Sequence, residues 1–329
     1  MRARVWCQAI CVACALRLRG DGTFKVVQFA DLHFGENEDG TWGPKQDRES
    51  LALLRKVIKM ENPDLVVFTG DQLTGNNIRS NATDYWGEVV SPCEEAGVPW
   101  AAVFGNHETM PFQGGRRAHT NVEVSSTTSR RSLLQFDMSH SLSRSCLGEL
   151  GDGHSVSNYY LDVLDSSENA TAARLYFMDT GGGDYDEQIF SDQVDWFRGV
   201  SANITVPSFA YFHIPLPAYV GAGQHSACVG MAEDGVTPVT TDSGLFEALQ
   251  DAGVLATFVG HDHGNDWCCP AAGGGPVLCF GRHSGYGGYG SWARGSRVLS
   301  IAPAETQTYV RMESGEILHN LTVTSATFV

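Results

Sequence analysis

Leu65-Val66-Val67-Phe68-Thr69-Gly70-Asp71 is the stretch that decides the fold class. Its four leading residues form a continuous apolar run, the mark of a strand buried on both faces in a sheet covered by helices. The run then breaks at Gly70 and delivers a carboxylate, Asp71. Upstream, Thr23 to Ala30 is strand-like through Phe24, Val26, Val27 and Phe29, and it too ends on a carboxylate, Asp31. Between them, Asp47 to Met60 reads as a helix. Asp47 is a suitable cap, and Leu51, Leu54 and Ile58 recur at helical spacing. Downstream, Thr83 to Ala96 reads as a helix and Pro99 to Phe104 as a third strand. This βαβαβ alternation implies a largely parallel sheet with helices outside it.

The second half continues in the same style. Strands are expected at Tyr159–Val163, Leu175–Met178, Pro207–Phe212 and Val254–Val259, with further strands between Val298 and Val323. Helices are expected at 130–140, 192–200 and 242–252. Pro111 to Thr128 has little periodicity and reads as a surface loop. No internal repeat and no linker interrupts the chain, so a single α/β domain with a two-sheet core is expected over 20–329.

Ligand-type side chains fall where the strands end. Asp31-Leu32-His33 follows the first, Gly70-Asp71 the second and Gly105-Asn106-His107 the third. His213 ends the run from Pro207, and Gly260-His261-Asp262-His263 follows the last. Sites gather at the carboxyl ends of strands in open α/β sheets. An extended Asp-x-His or His-x-His would point both side chains to one side. Gly at 70, 105 and 260 permits sharp turns and close backbone approach. Carboxylate, imidazole and amide oxygen together suit Mn, Fe or Zn.

These five blocks, in this order, resemble the metallophosphoesterase (calcineurin-like) superfamily, whose pattern is Asp-x-His, Gly-Asp, Gly-Asn-His-(Asp/Glu), His and Gly-His-x-His. The resemblance spans most of the chain and implies a four-layer α/β/β/α sandwich with two mixed sheets. It implies two divalent or mixed-valence metal ions (Mn, Fe or Zn). Asp31, His33, Asp71 and His263 would hold the first, and Asp71, Asn106, His213 and His261 the second, with Asp71 bridging. His107 would be the catalytic group that contacts the phosphate, beside Asn106, and stabilises or protonates the leaving oxygen. The implied reaction is in-line attack of a metal-bridged hydroxide on a phosphate ester, with both cations neutralising developing charge.

Phe212-His213-Ile214-Pro215 and the glycine-rich run Gly285-Tyr286-Gly287-Gly288-Tyr289-Gly290 look like the purple-acid-phosphatase-like branch. Thr74 stands where true purple acid phosphatases carry the tyrosine that binds ferric iron, and His33 where they carry glycine, so the chain departs from a ferric, coloured enzyme. Tyr286, Tyr289, Trp292 and Arg294 are candidates for the substrate mouth, with Tyr286 and Arg294 as substrate-binding residues. Glu108, Asp262, Asn265 and Asp266 are candidates to brace the ligand loops. The other histidines, among them His119, His140, His154, His225, His283 and His319, match no motif and read as surface or structural. A phosphomonoesterase is the expected activity. A phosphodiesterase, for instance on cyclic nucleotides, is the alternative within the family, and a non-catalytic metal-binding scaffold the alternative outside it.

Composition bounds the partners. The 329 residues are 42% hydrophobic and 18% charged, an ordinary globular balance. A formal net charge of −16 argues against broad nucleic-acid binding, whereas a small phosphorylated substrate or a phosphoprotein is compatible once cations reverse the field locally. Met1-Arg2-Ala3-Arg4, the apolar run Val5–Leu16 and Ala13-Cys14-Ala15 have the form of a short secretory signal peptide, placed over 1–19. That run is too short for a membrane span, so no transmembrane anchor is expected. Sequons at Asn81, Asn169, Asn203 and Asn320 point to a glycoprotein that is secreted or held in the secretory pathway or vacuole. If Cys7, Cys11 and Cys14 leave with the leader, Cys93, Cys146, Cys228, Cys268, Cys269 and Cys279 remain to pair, with a bridge from Cys268 or Cys269 to Cys279 expected first.

Overall fold

The computed structural model describes residues 15–75, 77–78, 81–109, 128–148, 150, 153–167, 170–183, 185–303 and 305–323. Residues 1–14 of the expected leader, the loop at 110–127 and the sequon at Asn169 lie outside them; residues 15–19 of that leader instead belong to the fold, where Leu16 and Arg17 pair with Val163 and Leu164.

The first three expected strands form as β2 (Phe24–Phe29), β3 (Leu65–Thr69) and β4 (Trp100–Val103), all parallel, after the short β1 (Leu16–Arg17). The rest follow as β5 (Tyr159–Leu164), β6 (Thr171–Phe177), β7 (Ser208–Tyr211), β8 (Ala256–Val259), β9 (Cys268–Cys269), β10 (Val277–Phe280), β11 (Gly295–Ile301), β12 (Gln307–Met312) and β13 (Ile317–Thr322). They build a 7-stranded sheet, β1-β5-β6-β7-β8-β10-β9, and a 6-stranded sheet, β13-β12-β11-β2-β3-β4. Both are mixed: parallel cores carry antiparallel partners such as β5–β6 and β11–β2. The helices are α1 (Gly43–Glu61), α2 (Ala82–Ala96), α3 (Arg130–Asp137), α4 (Ser191–Ser201) and α5 (Leu245–Asp251).

The sheets pack face to face. Val26, Leu65, Val67 and Val103 from one meet Leu175, Phe177, Phe209, Tyr211 and Phe258 from the other. The outer face of the smaller sheet packs Val27, Phe29 and Phe68 on Leu53, Leu54, Trp86 and Val90 of α1 and α2. The outer face of the larger packs Tyr176, Ala210 and Phe212 on Val194, Phe197, Leu245 and Leu249 of α4 and α5. Four layers, α/β/β/α, result. The apolar run Leu65–Phe68 is explained by this layering, because alternate side chains face the facing sheet and the helices, and neither face meets water.

Three expectations are corrected. Asp47 does not cap α1: the helix begins four residues earlier at Gly43, with Pro44 in its first turn, and Asp47 is buried within it, accepting the Gly35 N–H (3.4 Å). The 242–252 helix is shorter, because the Asp242 carboxylate instead accepts the N–H groups of Gly244, Leu245 and Phe246 ahead of α5. β9 and β10 were not read from the sequence. Cys268–Cys279 is bridged as expected and Cys228 bridges Cys269, but Cys93 is a buried free thiol. Cys146 is also disulfide-bonded. Among the described residues no helix is long and apolar enough to cross a membrane.

A candidate metal centre at the strand ends

The ligand-type residues leave the carboxyl ends of β2, β3, β4, β7 and β8, and the two sheets are tied together there. Gln28 Nε2 on β2 donates to Val259 O on β8 (3.0 Å) and to Thr69 Oγ1 on β3 (2.9 Å). Backbone bonds then knit the ends themselves: Asp31 N–H to Gly70 O, His33 N–H to Asp71 O and Gly260 N–H to His213 O.

The reason the side chains converge differs from extended alternation. Asp31 (φ 58°), His33 (φ 54°), Asp71 (φ 53°) and His261 (φ 80°) all sit in the left-handed region. Each turns the chain sharply where it leaves a strand and throws its side chain inward. Non-glycine residues there cost of order 1 kcal/mol each, and they persist where surrounding structure over-determines them. Gly70, at φ 91°, could carry no side chain either, since a Cβ would lie 2.5 Å from His213 Nδ1. A Cβ on Gly105 would lie 2.2 Å from Asp71 Oδ1.

Two groups result, each with its ligand atoms within 4.8 Å of one another: Asp31, His33 and His263, and Asp71, His213 and His261. Asn106 joins the second, its Oδ1 lying 3.1 Å from His213 Nε2 and 3.2 Å from His261 Nδ1. Asp71 stands between the groups, with Oδ2 3.2 Å from His213 Nε2 and 3.9 Å from His33 Nε2. Thus all seven ligand candidates come together. His107 flanks them half-buried: its N–H donates to Asp71 Oδ1 (2.8 Å), and its ring meets His33 edge-on at 5.1 Å.

The hydrogen bonds settle which ring nitrogens face inward. His213 Nδ1 lies 2.8 Å from Thr69 O and His263 Nδ1 lies 2.9 Å from Tyr289 O; both partners accept only, so both Nδ1 atoms carry the proton. His33 Nδ1 is held by Thr74 Oγ1 (3.1 Å), so the residue in place of the ferric-binding tyrosine orients an imidazole. The inward Nε2 of His213 then faces Asn106 Oδ1 and Asp71 Oδ2, and the Nε2 atoms of His33 and His263 lie 3.2 Å apart. At His213 the neutral ring would turn an unprotonated Nε2 onto two oxygens in a buried space, an arrangement that calls for positive charge there. The electrostatics agree. Burial opposes an imidazolium at His213, yet Asp71 beside it, then Asp31 and Glu108, push its pKa up to about 10. Burial drives His261 down to about 3 and His263 to about 4, leaving both as neutral donors. The donor set therefore fits a pair of cations, and the mixed nitrogen and oxygen chemistry suits Mn, Fe or Zn.

The remaining sequence candidates divide. Glu108 accepts the N–H of Gln72 (2.6 Å) and of Gly105 (2.6 Å), clamping the turns that carry Asp71 and Asn106. Asp262, Asn265 and Asp266 anchor residues 231–237 by accepting the N–H groups of Thr237, Asp234 and Met231. Tyr286 and Arg294 are not brought to the cluster by their hydrogen bonds. Tyr286 OH donates to Glu313 (2.6 Å), and Arg294 donates to the carbonyls of Trp292 and Gly290. Both line a separate cavity of about 680 Å³ whose walls include none of the seven converging residues. Trp292 donates from its indole to Glu233 (2.7 Å). Tyr289 does reach the cluster, stacking on His263 at 4.0 Å.

Some residues carried no sequence signal. Arg130 of α3 is buried and donates to Phe104 O, Gly105 O and Asp179, holding the chain that enters Asn106. His283 is buried, its ring against that of His263 at 3.9 Å with the planes tilted by 36°.

The fold and the site point to one class of protein, and comparison with known proteins agrees. The calcineurin-like phosphoesterase family model matches residues 24–265, and the chain belongs to that family. It is 30% identical over 322 residues to "Probable inactive purple acid phosphatase 28" of Arabidopsis thaliana, covering 86% of this chain and 76% of that protein. It is 29% identical over 273 residues to "Phosphatase DCR2" of Saccharomyces cerevisiae, covering 75% of this chain and 45% of that one. Among solved structures, purple acid phosphatase PPD1 from yellow lupin (Lupinus luteus) seeds superposes with a TM-score of 0.60 at 16% identity, over 92% of this chain and 54% of that one. This last likeness shows the fold, and the chain spans about half the length of that protein.

Proposed function

We propose that the protein is a phosphomonoesterase working with two divalent cations held by Asp31, His33, Asp71 and His263 on one side and Asp71, Asn106, His213 and His261 on the other. The observation that carries this reading is the position of Asp71, whose carboxylate reaches both histidine groups at once. When bound, such a cation pair supplies positive charge for the phosphate oxygens and activates a water as the nucleophile. The chain does the rest. Glu108 and the His107 amide hold Asp71 in place. Asn106 Oδ1 is turned inward between His213 and His261, which leaves its amide group for a phosphate oxygen. The His107 ring, half-buried beside His33, is assigned the proton for the departing alcohol oxygen, a general-acid contribution of roughly 10²–10⁴-fold.

Paired cysteines and exposed Asn81, Asn203 and Asn320 support a glycosylated protein of the secretory pathway with a single catalytic domain. The test of activity is turnover of nitrophenyl phosphate against bis-nitrophenyl phosphate with Mn, Zn or Fe. Monoester turnover supports the reading, and turnover of the diester alone makes the protein a phosphodiesterase. A second reading, a catalytically silent metal-binding scaffold, takes support from the words "probable inactive" in the name of the Arabidopsis relative. Two metals per chain with no turnover of either ester favours it.

A further inference from the structure

We propose that Tyr289 is a positioning residue that fixes His263 as a metal ligand and couples it to the segment 228–237. The inference rests on reading the cluster as a metal site. Tyr289 holds His263 in three ways at once. Its carbonyl accepts His263 Nδ1–H (2.9 Å), which sets the tautomer and turns Nε2 inward. Its hydroxyl accepts the His263 backbone N–H (3.0 Å). Its ring stacks on the imidazole at 4.0 Å with the planes 12° apart. The hydroxyl proton goes the other way, to Asp234 Oδ2.

Asp234 belongs to a strap fastened along the whole histidine loop. The Cys228–Cys269 bridge anchors its start. Met231, Asp234 and Thr237 donate their N–H groups to Asp266, Asn265 and Asp262, and Glu233 donates to Gly264 O. The Tyr289 hydroxyl therefore closes a circuit: strap to hydroxyl, hydroxyl to His263 backbone, carbonyl to His263 ring. A ligand imidazole whose other nitrogen and backbone are both held loses little orientation entropy on binding a cation. Removing such an outer partner typically costs about 10–100-fold in metal affinity. Tyr289 is half exposed, so the phenol contributes through these contacts rather than through the core.

The experiment measures metal, not turnover. Protein refolded or loaded with Co(II) is titrated against a chelator and its visible absorption recorded, for wild type, Tyr289→Phe, Asp234→Ala and the double variant. Tyr289→Phe keeps the ring stack and loses both hydroxyl bonds. The expected result is about a tenfold weaker hold on one of the two ions and an altered cobalt spectrum. Asp234→Ala should act in the same direction, and the double variant should be no weaker than Tyr289→Phe alone, because both break one link. Thermal midpoints close to wild type show that the fold is kept. Wild-type affinity and an unchanged spectrum in Tyr289→Phe overturn the proposal. A wild-type protein that holds no Co(II) overturns the metal-site reading instead, so the two failures are distinguishable.

Discussion

Asp71 and His107 divide the proposed work, and single substitutions separate them. The Asp71 carboxylate lies within reach of both histidine groups. Asp71→Ala is expected to lower metal content at both positions and to cut kcat/KM by roughly 10³-fold, the equivalent of several kcal/mol of lost charge stabilisation. His107 has its backbone, not its ring, on Asp71. His107→Ala should therefore keep both metals while kcat falls about 10²–10⁴-fold. Metal analysis beside steady-state kinetics checks both, and unchanged turnover in His107→Ala would remove that residue from the mechanism. The candidate ligand residues stand out in the sequence because carboxylate, amide and imidazole groups after apolar runs are conspicuous. Their backbone does not. Left-handed φ at Asp31, His33, Asp71 and His261 arises from the crowding of five strand ends, which no local spacing reveals.

At the level of elements, α3 is joined to the site through Arg130. Its guanidinium, 1% exposed, lies on the fully buried carboxylate of Asp179 at 2.7 Å and on the carbonyls preceding Asn106. Arg130→Met strands that carboxylate without its partner, and a destabilisation of about 3–5 kcal/mol in urea unfolding is expected. The residue was invisible in the sequence because nothing local distinguishes it from a surface arginine on a short helix. Asp266 behaves similarly at the other side of the site. Burial alone would raise its pKa, but His319, Arg297, the Met231 amide and Arg282 hold it at about 2. A carboxyl depressed in the folded state adds stability above its unfolded value and loses it as pH falls. About 2 kcal/mol should disappear between roughly pH 4 and pH 2, and Asp266→Asn should flatten that part of the acid-unfolding curve. An unchanged curve would mean that the carboxylate is not held as the contacts indicate.

For the molecule as a whole, the bridges Cys228–Cys269 and Cys268–Cys279 staple β9 and its neighbours to the end of the larger sheet, directly after the histidine loop. Their loops of 41 and 11 residues correspond to roughly 4 and 3 kcal/mol by loop-closure entropy. Reduction should therefore lower the thermal midpoint by many degrees, and a midpoint indifferent to reductant would show that the core alone carries that region. The sequence by itself determined the class of protein: buried parallel strands between helices, and five ligand blocks in the order of one family. Both follow from local pattern, since burial on two faces and strand-end placement leave their mark residue by residue. Only the tertiary structure decided which nitrogens of His213 and His263 face inward, that Thr74 and Tyr289 contact the rings of His33 and His263, and that Tyr286 and Arg294 are hydrogen-bonded elsewhere. Those outcomes depend on partners far apart in the chain, brought together by two sheets whose ends meet.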